Sequence, residues 1–184
     1  MISIKEKQKN AFKELKATLG IENTMQTPRL VKVVLSTGVG SIRDKKKIAL
    51  IEDRMNRISG QKVTLKGAKK SIASFKVRQG DPAGFQVTLR GERMINFLDK
   101  LVNIAFPRTR DFRGISRKSI DDIGNISIGI KEHTIFPEAS DEEIKDIFGL
   151  GVTVVTTAQD KKAALTYFEY LGFPFAKAEV AKKK

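Results

Sequence analysis

Residues 73–90 alternate between polar and apolar side chains on either side of a turn, and this alternation constrains the fold more than any other feature. Successive side chains of a strand point to opposite faces of a sheet, so the pattern predicts a hairpin of strands 73–79 and 85–90 joined by the turn sequence GDPAG. The apolar members share one face: Ala73, Phe75, Val77, Phe85, Val87 and Leu89. The polar members share the other: Ser74, Lys76, Arg78, Gln86, Thr88 and Arg90. We therefore expect helices to cover the apolar face and leave the polar face open.

The other periodic segments complete an α+β domain. Apolar residues three and four apart predict helices over about 3–19, 44–58, 92–105 and 160–171, with a short acidic helix beginning at Ser140. Further strands are predicted in RLVKVVLSTGVG, QKVTLK, NISIGI and GVTVVTTA. The chain shows no repeat and no flexible linker, which predicts a single domain over 1–184 with a largely antiparallel sheet, helices packed on one face and the other face open for RNA.

Charge is distributed unevenly along the chain. The net charge is +14 and the pI about 10.0, which favours a polyanionic partner, either nucleic acid or, as a weaker rival, an anionic membrane. Residues 1–118 hold 27 Lys and Arg against 10 Asp and Glu, whereas residues 119–181 hold 5 against 11. The basic part includes the N-terminal helix 1–20 and a loop at 107–118, which we expect Pro107 to begin by ending the preceding helix. The acidic segment 132–146 and the basic tail 182–184 complete the division, which suggests one partner for each sign.

The polar face predicts a surface for folded RNA. If neighbouring strands pair with matching pleat, Lys32, Ser36, Lys62, Thr64 and Lys66 join it, and such side chains donate hydrogen bonds to phosphate and 2′-hydroxyl oxygens. Both Phe75 and Phe85 are expected to point inward, and the chain has no Trp, so base stacking is not expected. A face that only keeps the protein soluble remains the alternative.

Catalytic and cofactor chemistry find little support in the residues. There is no Cys and a single His, His133, so neither a triad nor a His-rich metal site can be assembled. Gly38 and Gly40 begin a dinucleotide fingerprint that Arg43 leaves incomplete. The acids of 138–146 could hold Mg²⁺ in a nuclease, although a helix N-terminus or a docking patch for a basic partner is preferred. An architectural DNA-binding protein is a third alternative, and the prediction is no catalytic residue, no metal and no cofactor.

The start of the chain and its apolar runs indicate a cytosolic protein. The first ten residues, MISIKEKQKN, carry charges where a signal peptide has its apolar stretch. No apolar run approaches the roughly 20 residues of a membrane-spanning helix. We therefore expect no membrane partner.

From about residue 25 to 175 the chain resembles the universal large-subunit ribosomal protein L-five family. The resemblance runs in order through PRLVKVVLSTGVG, ISGQK, AKKSIASFKVRQGDPAGFQVTLRGERM, AFPRTRDFRGIS, GNISIGIKE, IFPE, VTTA and GFPF. It implies an α+β fold whose open face binds 5S rRNA in the central protuberance of the large subunit, together with other rRNA and proteins. It also implies a cytoplasmic, ribosomal location and no catalysis.

The resemblance implies roles for individual positions. Lys32, Gln61, Thr88 and Arg90 match family positions that contact 5S rRNA, and Ser36 stands where the family commonly has Asn. The implied rRNA-binding set is Lys32, Ser36, Gln61, Lys62, Thr64, Lys69, Lys70, Thr88 and Arg90. The hairpin loop 76–84 resembles the loop that reaches peptidyl-site tRNA, which implies contacts by Lys76, Arg78 and Gln79. The acidic stretch implies an intersubunit bridge to a basic small-subunit head protein through Glu138, Asp141, Glu142, Glu143 and Asp146.

One segment departs from the family pattern. In SIDDIGNIS the family usually has aromatic residues and a Gly-Arg pair, whereas this chain has Ile120, Asp122, Ile123 and Ile126. No RNA contact is predicted from this segment.

Overall fold

The sheet is the centre of the fold in the computed structural model, which describes residues 3–42, 44–139 and 147–176. Its strands are β1 (Leu30–Gly38), β2 (Thr64–Gly67), β3 (Pro82–Leu89), β4 (Ile126–Ile130) and β5 (Leu150–Thr156). They lie in the order β2-β3-β1-β5-β4, and every neighbouring pair is antiparallel. The α+β prediction is confirmed.

Helices pack on one face of this sheet. They are α1 (Ile4–Leu19), α2 (Lys45–Ser59), α3 (Gly91–Lys100), a short α4 (Phe106–Arg108) and α5 (Lys161–Leu171). The Ser3 hydroxyl accepts a hydrogen bond from the Lys5 N–H at the start of α1, and the Asp44 carboxylate does the same for Lys46 at the start of α2. Gly20 and Gly60 end the two helices in the left-handed conformation that favours glycine. These boundaries follow the capping signals in the sequence.

The core lies between the helices and the covered face of the sheet. Val33, Leu35, Phe85, Leu89 and Val154 are among its buried members, as the period of two predicts. The single histidine also belongs to the core: His133 is fully buried, and its ring stacks on Phe148 with the centroids 4.0 Å apart. The His133 Nδ1 atom accepts a hydrogen bond from the Phe148 N–H at 3.3 Å. A packing role therefore accounts for this residue.

The predicted strand at 73–79 is wrong. The partner of β3 is β2, with Thr64 opposite Gln86 and Lys66 opposite Gly84, and β1 pairs with the other edge of β3. Because both edges of β3 are occupied, residues 73–79 have no place beside it in the sheet. They belong to a loop over 68–81, called the β2–β3 loop here, in which Ala73–Phe75 is a 3-10 turn. Phe75, predicted to point inward, is 74% exposed.

The prediction that Pro107 ends the third helix is also wrong. After α3 the chain makes one π-helical turn, Leu101–Ala105, and continues into α4 with Pro107 in the first turn. Because the helical run is continuous from α3, Pro107 withholds one backbone hydrogen bond from the preceding turn, and the run ends one residue later, at Arg108. The non-helical basic segment therefore begins at Thr109, and its end forms a 3-10 turn, Arg117–Ser119.

Several predictions fall on residues outside the described ranges. These are the short acidic helix from Ser140, Arg43 and the basic tail 182–184. Within the described ranges, no helix combines the length and the apolar character that crossing a membrane requires.

Candidate nucleic-acid interface

The face of the sheet opposite the helices carries mostly polar side chains, and we call it the open face. The strand register aligns Thr64, Gln86, Ser36 and Gly151 in one cross-strand row. A second row aligns Thr88, Val34, Thr153 and Ser127. All of these residues are partly or fully exposed, so no helix covers them.

The open face is low in relief on the β4 side. Gly151 of β5 pairs with Gly129 of β4, so neither strand projects a side chain at that position. Beside them the hydroxyls of Ser127 and Thr153 lie 3.1 Å apart. None of the residues that the described strands direct to this face is aromatic. Such a surface suits the backbone and shape of a folded RNA better than a row of stacked bases.

Cations gather at the end of the open face where β3 meets α3. Val33 of β1 pairs with Leu89 of β3, so Lys32, which precedes Val33, lies close to Arg90, which follows Leu89 at the start of α3. The Gln61 Nε2 atom donates a long hydrogen bond, 3.4 Å, to the Thr88 carbonyl oxygen. The structure thus brings Lys32, Gln61, Thr88 and Arg90 together, although they come from three separate segments of the sequence.

The same corner contains a residue that the sequence analysis missed. Arg93, in the first turn of α3, donates from Nη1 to Gln61 Oε1 at 3.5 Å and remains exposed. Nothing in the alternation of β3 points to Arg93, because it lies beyond the strand and in a helix. Only the docking of α3 against residue 61 reveals it.

The cations of the open face have no neutralising partner among the described residues. Lys32, Lys62, Lys66 and Arg90 take part in none of the ion pairs found there, which involve other cations. Like charges on neighbouring strands repel each other, and an external polyanion would relieve this repulsion.

The β2–β3 loop is held together by its own hydrogen bonds. The Ala68 N–H donates to the Asp81 carbonyl oxygen at 2.8 Å, and the Gln79 N–H donates to the Ser71 hydroxyl at 2.9 Å. The Asp81 carboxylate accepts from the Arg78 N–H at 2.7 Å, so it shapes the turn from within.

The loop presents its cationic side chains to solvent. Its long polar side chains are Lys69, Lys70, Lys76, Arg78 and Gln79, and each of them is exposed. Val77 is the one partly buried residue between 73 and 79. These polar residues lie beyond the end of β2 and not on the open face itself, so Lys69 and Lys70 are separated from the other predicted rRNA-binding residues. The loop therefore forms a second exposed cationic surface beside the sheet.

The acidic candidates are only partly described. The Glu138 carboxylate forms an ion pair with Lys100 at 2.8 Å, and this lysine is mostly buried. The other four, Asp141, Glu142, Glu143 and Asp146, lie outside the described residues. In the parts of the chain that are described, no cluster of acidic and histidine side chains could hold a metal ion.

A flat open face with unpaired cations, on an α+β sheet, is typical of a protein that binds structured RNA. Comparison with known families agrees: residues 23–78 match the family described as ribosomal protein L5, and residues 82–175 match the C-terminal region of the same ribosomal family. The chain therefore belongs to the ribosomal protein L5 family.

Individual relatives match over nearly their full length. The large ribosomal subunit protein uL5 of Sulfurimonas denitrificans is 48% identical over 178 residues, which cover 96% of this chain and 98% of the relative. The uL5 protein of a Sulfurovum species is 47% identical with the same coverage, and that of Natranaerobius thermophilus is 46% identical over 89% of this chain and 92% of its own.

Membership of this family fixes the general role of the chain. It is a structural, non-enzymatic constituent of the large ribosomal subunit, located in the ribosome and therefore in the cytoplasm. The nuclease alternative is thereby rejected.

Proposed function

We propose that the open face binds 5S rRNA within the central protuberance of the large subunit. This proposal rests on one observation: four side chains lie together at one uncovered corner of the sheet, namely Lys32, Gln61, Thr88 and Arg90. The two cations among them, Lys32 and Arg90, form no ion pair with any described residue. Amide and hydroxyl groups supply directional hydrogen bonds, and the Lys and Arg side chains supply charge to the phosphates. Ser36, Lys62 and Thr64 extend the same contact along the face.

The β2–β3 loop is proposed to contact peptidyl-site tRNA through Lys76, Arg78 and Gln79. Its support is the exposure of these side chains on a loop that its own hydrogen bonds hold in shape. Lys69 and Lys70 belong to the same loop and are proposed to extend the rRNA contact at its base.

The acidic segment is proposed to meet a basic small-subunit head protein in an intersubunit bridge. Support comes from the negative charge of residues 119–181 and from the family resemblance. Because Lys100 already neutralises Glu138, the main contribution is assigned to Asp141, Glu142, Glu143 and Asp146. Light scattering of subunit association with these four acids replaced by amides tests the contact, and unchanged association would refute it.

The 5S rRNA proposal is tested by removing its directional hydrogen bonds. We expect Thr88→Ala and Gln61→Ala each to weaken binding to a 5S rRNA transcript by about 1 to 3 kcal/mol, or roughly 5- to 150-fold in Kd, because each leaves a buried RNA group unpaired. Fluorescence titration at fixed salt measures the change.

Matched controls for this test lie away from the open face. Thr18→Ala in α1 and Gln159→Ala before α5 remove the same groups from exposed positions and are expected to leave Kd unchanged. Losses below about 0.3 kcal/mol at both test positions would show that the RNA uses another surface. Equal competition by duplex DNA would instead favour the DNA-binding alternative.

A further inference from the structure

The ammonium group of Lys100, at the end of α3, contacts two segments that are distant in the sequence. Its Nζ atom donates to the Ile58 carbonyl oxygen, in the last turn of α2, at 2.9 Å and to the Glu138 Oε1 atom at 2.8 Å. The side chain is only 19% exposed, so most of its surface is withdrawn from water. Lys100 thus joins α2, α3 and the 3-10 turn Pro137–Ala139.

Two aromatic rings complete the surroundings of this ammonium group. The Phe97 and Phe136 rings are buried, and they stack with centroids 5.9 Å apart. The Lys100 Nζ atom lies 6.0 Å from the first centroid and 5.8 Å from the second. The face of an aromatic ring attracts a cation at such a distance, so the rings and the two oxygen atoms together hold the Nζ atom in one place.

The contact with Ile58 fixes the end of α2, from which Gln61 extends into the 5S rRNA corner. The last carbonyl groups of a helix have no N–H partner within it, and the Lys100 ammonium group supplies one. The Ser59 Oγ atom lies 2.7 Å from the Met55 carbonyl oxygen and 2.8 Å from the Gln61 carbonyl oxygen. The turn that carries Gln61 is therefore bonded to α2, and its position depends on where α2 ends.

Helix α3 contacts this part of the chain from both of its ends. Arg93, in the first turn of α3, donates to the Gln61 side chain, whereas Lys100, the last residue of α3, donates to Ile58. The two cations are separated by about two helical turns, so they lie on the same side of α3. One cation thus holds the Gln61 side chain, and the other holds the helix end behind it.

The contact with Glu138 fixes the first of the five acidic residues assigned to the intersubunit bridge. Glu138 lies in the 3-10 turn Pro137–Ala139, in which Ala139 is buried and its N–H donates to the Phe136 carbonyl oxygen at 3.0 Å. The other four acids follow this turn in the sequence. The chain therefore enters the acidic stretch from a turn that Lys100 holds against α2 and α3.

Stability alone does not require a charged side chain at this position. A methionine would fill similar space against the two rings, and replacing a buried ion pair with apolar side chains often costs little stability. The ammonium group differs from an apolar side chain because its directional contacts fix two distant segments relative to each other. This difference indicates a role in positioning.

We propose that Lys100 is a positioning residue for two binding surfaces. Through Ile58 it holds the turn that presents Gln61 to 5S rRNA, and through Glu138 it holds the start of the acidic stretch that meets the small-subunit head protein. The inference rests on the function proposed above and adds to it a residue that touches neither partner.

The first test measures the 5S rRNA affinity of Lys100→Met, which keeps the packing against the rings and loses the N–H donors. We expect Kd to rise about three- to tenfold, within the range for residues that share one hydrogen-bond network. In the Gln61→Ala background the same change should raise Kd by less than about twofold, because Lys100 acts through residue 61. A merely structural loss would be equal in the two backgrounds.

The second test measures association with small subunits by light scattering, using reconstituted large subunits that contain full amounts of 5S rRNA and of each variant. Glu138→Ala should weaken association about three- to tenfold and keep the Kd for 5S rRNA within about twofold, whereas Lys100→Met should weaken both. The double variant Lys100→Met/Glu138→Ala should associate no more weakly than the weaker single variant, because both changes break the same contact.

A control variant and a melting curve separate positioning from loss of charge or of fold. Lys161→Met removes an exposed lysine of α5 and should behave like the wild type in both tests. Circular dichroism melting verifies that each variant is folded. If Lys100→Met does not fold, Glu138→Ala decides alone, and unchanged subunit association then overturns the proposal.

Three other results would overturn it as well. They are an unchanged Kd for Lys100→Met, an equal rise of Kd with and without Gln61→Ala, or additive losses of association for Lys100→Met and Glu138→Ala. Each of them leaves the 5S rRNA proposal intact. A wild-type protein that does not bind 5S rRNA would overturn both proposals, so the two failures are distinguishable.

Discussion

At the tip of the β2–β3 loop, Phe75 exposes 74% of its surface next to Lys76, whose left-handed backbone follows the 3-10 turn. An exposed aromatic ring is unfavourable in water, and the same loop carries four exposed cations, Lys69, Lys70, Lys76 and Arg78. Proteins that bind single-stranded nucleic acid commonly combine an exposed ring, on which a base stacks, with cations that bind the backbone. The loop therefore offers the proposed tRNA contact a ring as well as charge.

Phe75→Ala tests this role at the residue scale. We expect tRNA binding to the peptidyl site of reconstituted ribosomes to weaken by about 1 to 3 kcal/mol, the range for loss of one base–aromatic stack. Filter binding of labelled tRNA gives the affinity. Leu65→Ala, which shortens another exposed apolar side chain on neighbouring β2, is the control and should have no effect. Equal affinities for Phe75→Ala and wild type would assign the ring no part in tRNA binding.

At the scale of elements, the pairing of β3 with both β1 and β2 controls where every candidate RNA contact lies. Gly84 makes this double pairing possible, because it lies opposite Gly38 on one side and Lys66 on the other. A Cβ atom at Gly84 would come within 2.4 Å of the Thr37 carbonyl oxygen. The backbone of β1 occupies that space, so a side chain cannot be accommodated without moving a strand.

Gly84→Ala should therefore destabilise the fold. We expect a loss of about 1 to 3 kcal/mol in the free energy of unfolding, as for other overpacked sites, measured by urea denaturation. Gly129→Ala in β4 is the matched control, because nothing lies within 4 Å of its added Cβ. That variant should be neutral or slightly more stable, since alanine restricts the unfolded chain more than glycine does. Equal stability of the two variants would contradict the assigned contact at Thr37.

At the scale of the whole molecule, the distribution of charge along the chain says more about its partners than the net charge of +14 does. Much of the positive charge of the first 118 residues is exposed on the open face, on the β2–β3 loop and in the segment 108–118, and further cations lie on α1 and α2. A protein with several cationic surfaces is suited to holding folded RNA from more than one side. The same arrangement makes its affinity depend on ionic strength.

Binding of 5S rRNA should weaken steeply as salt is raised. If Lys32, Lys62, Lys66 and Arg90 each neutralise one phosphate, log K should fall with log salt with a slope of roughly −2.8 to −3.6. Titrations over a series of KCl concentrations give the slope. Replacing Arg90 with Gln should reduce its magnitude by about 0.7 to 0.9, the contribution of one phosphate. An affinity that does not change with salt would exclude phosphate contacts as its main source.

The sequence by itself determined the elements with strong local signals: the capped ends of α1 and α2, the inward face of β1 and β3, and the polar residues left on the open face. These follow from periodicity and capping, which depend on near neighbours in the chain. Only the tertiary structure decided which strands pair with β3. Because β1 and β2 occupy both of its edges, residues 73–79 lie outside the sheet and Phe75 is exposed. It also decided that Arg93 lies beside Gln61 and that the segment 106–116 faces the end of β4. Such contacts depend on how distant segments compete for the same edges and surfaces, and no local pattern records that competition.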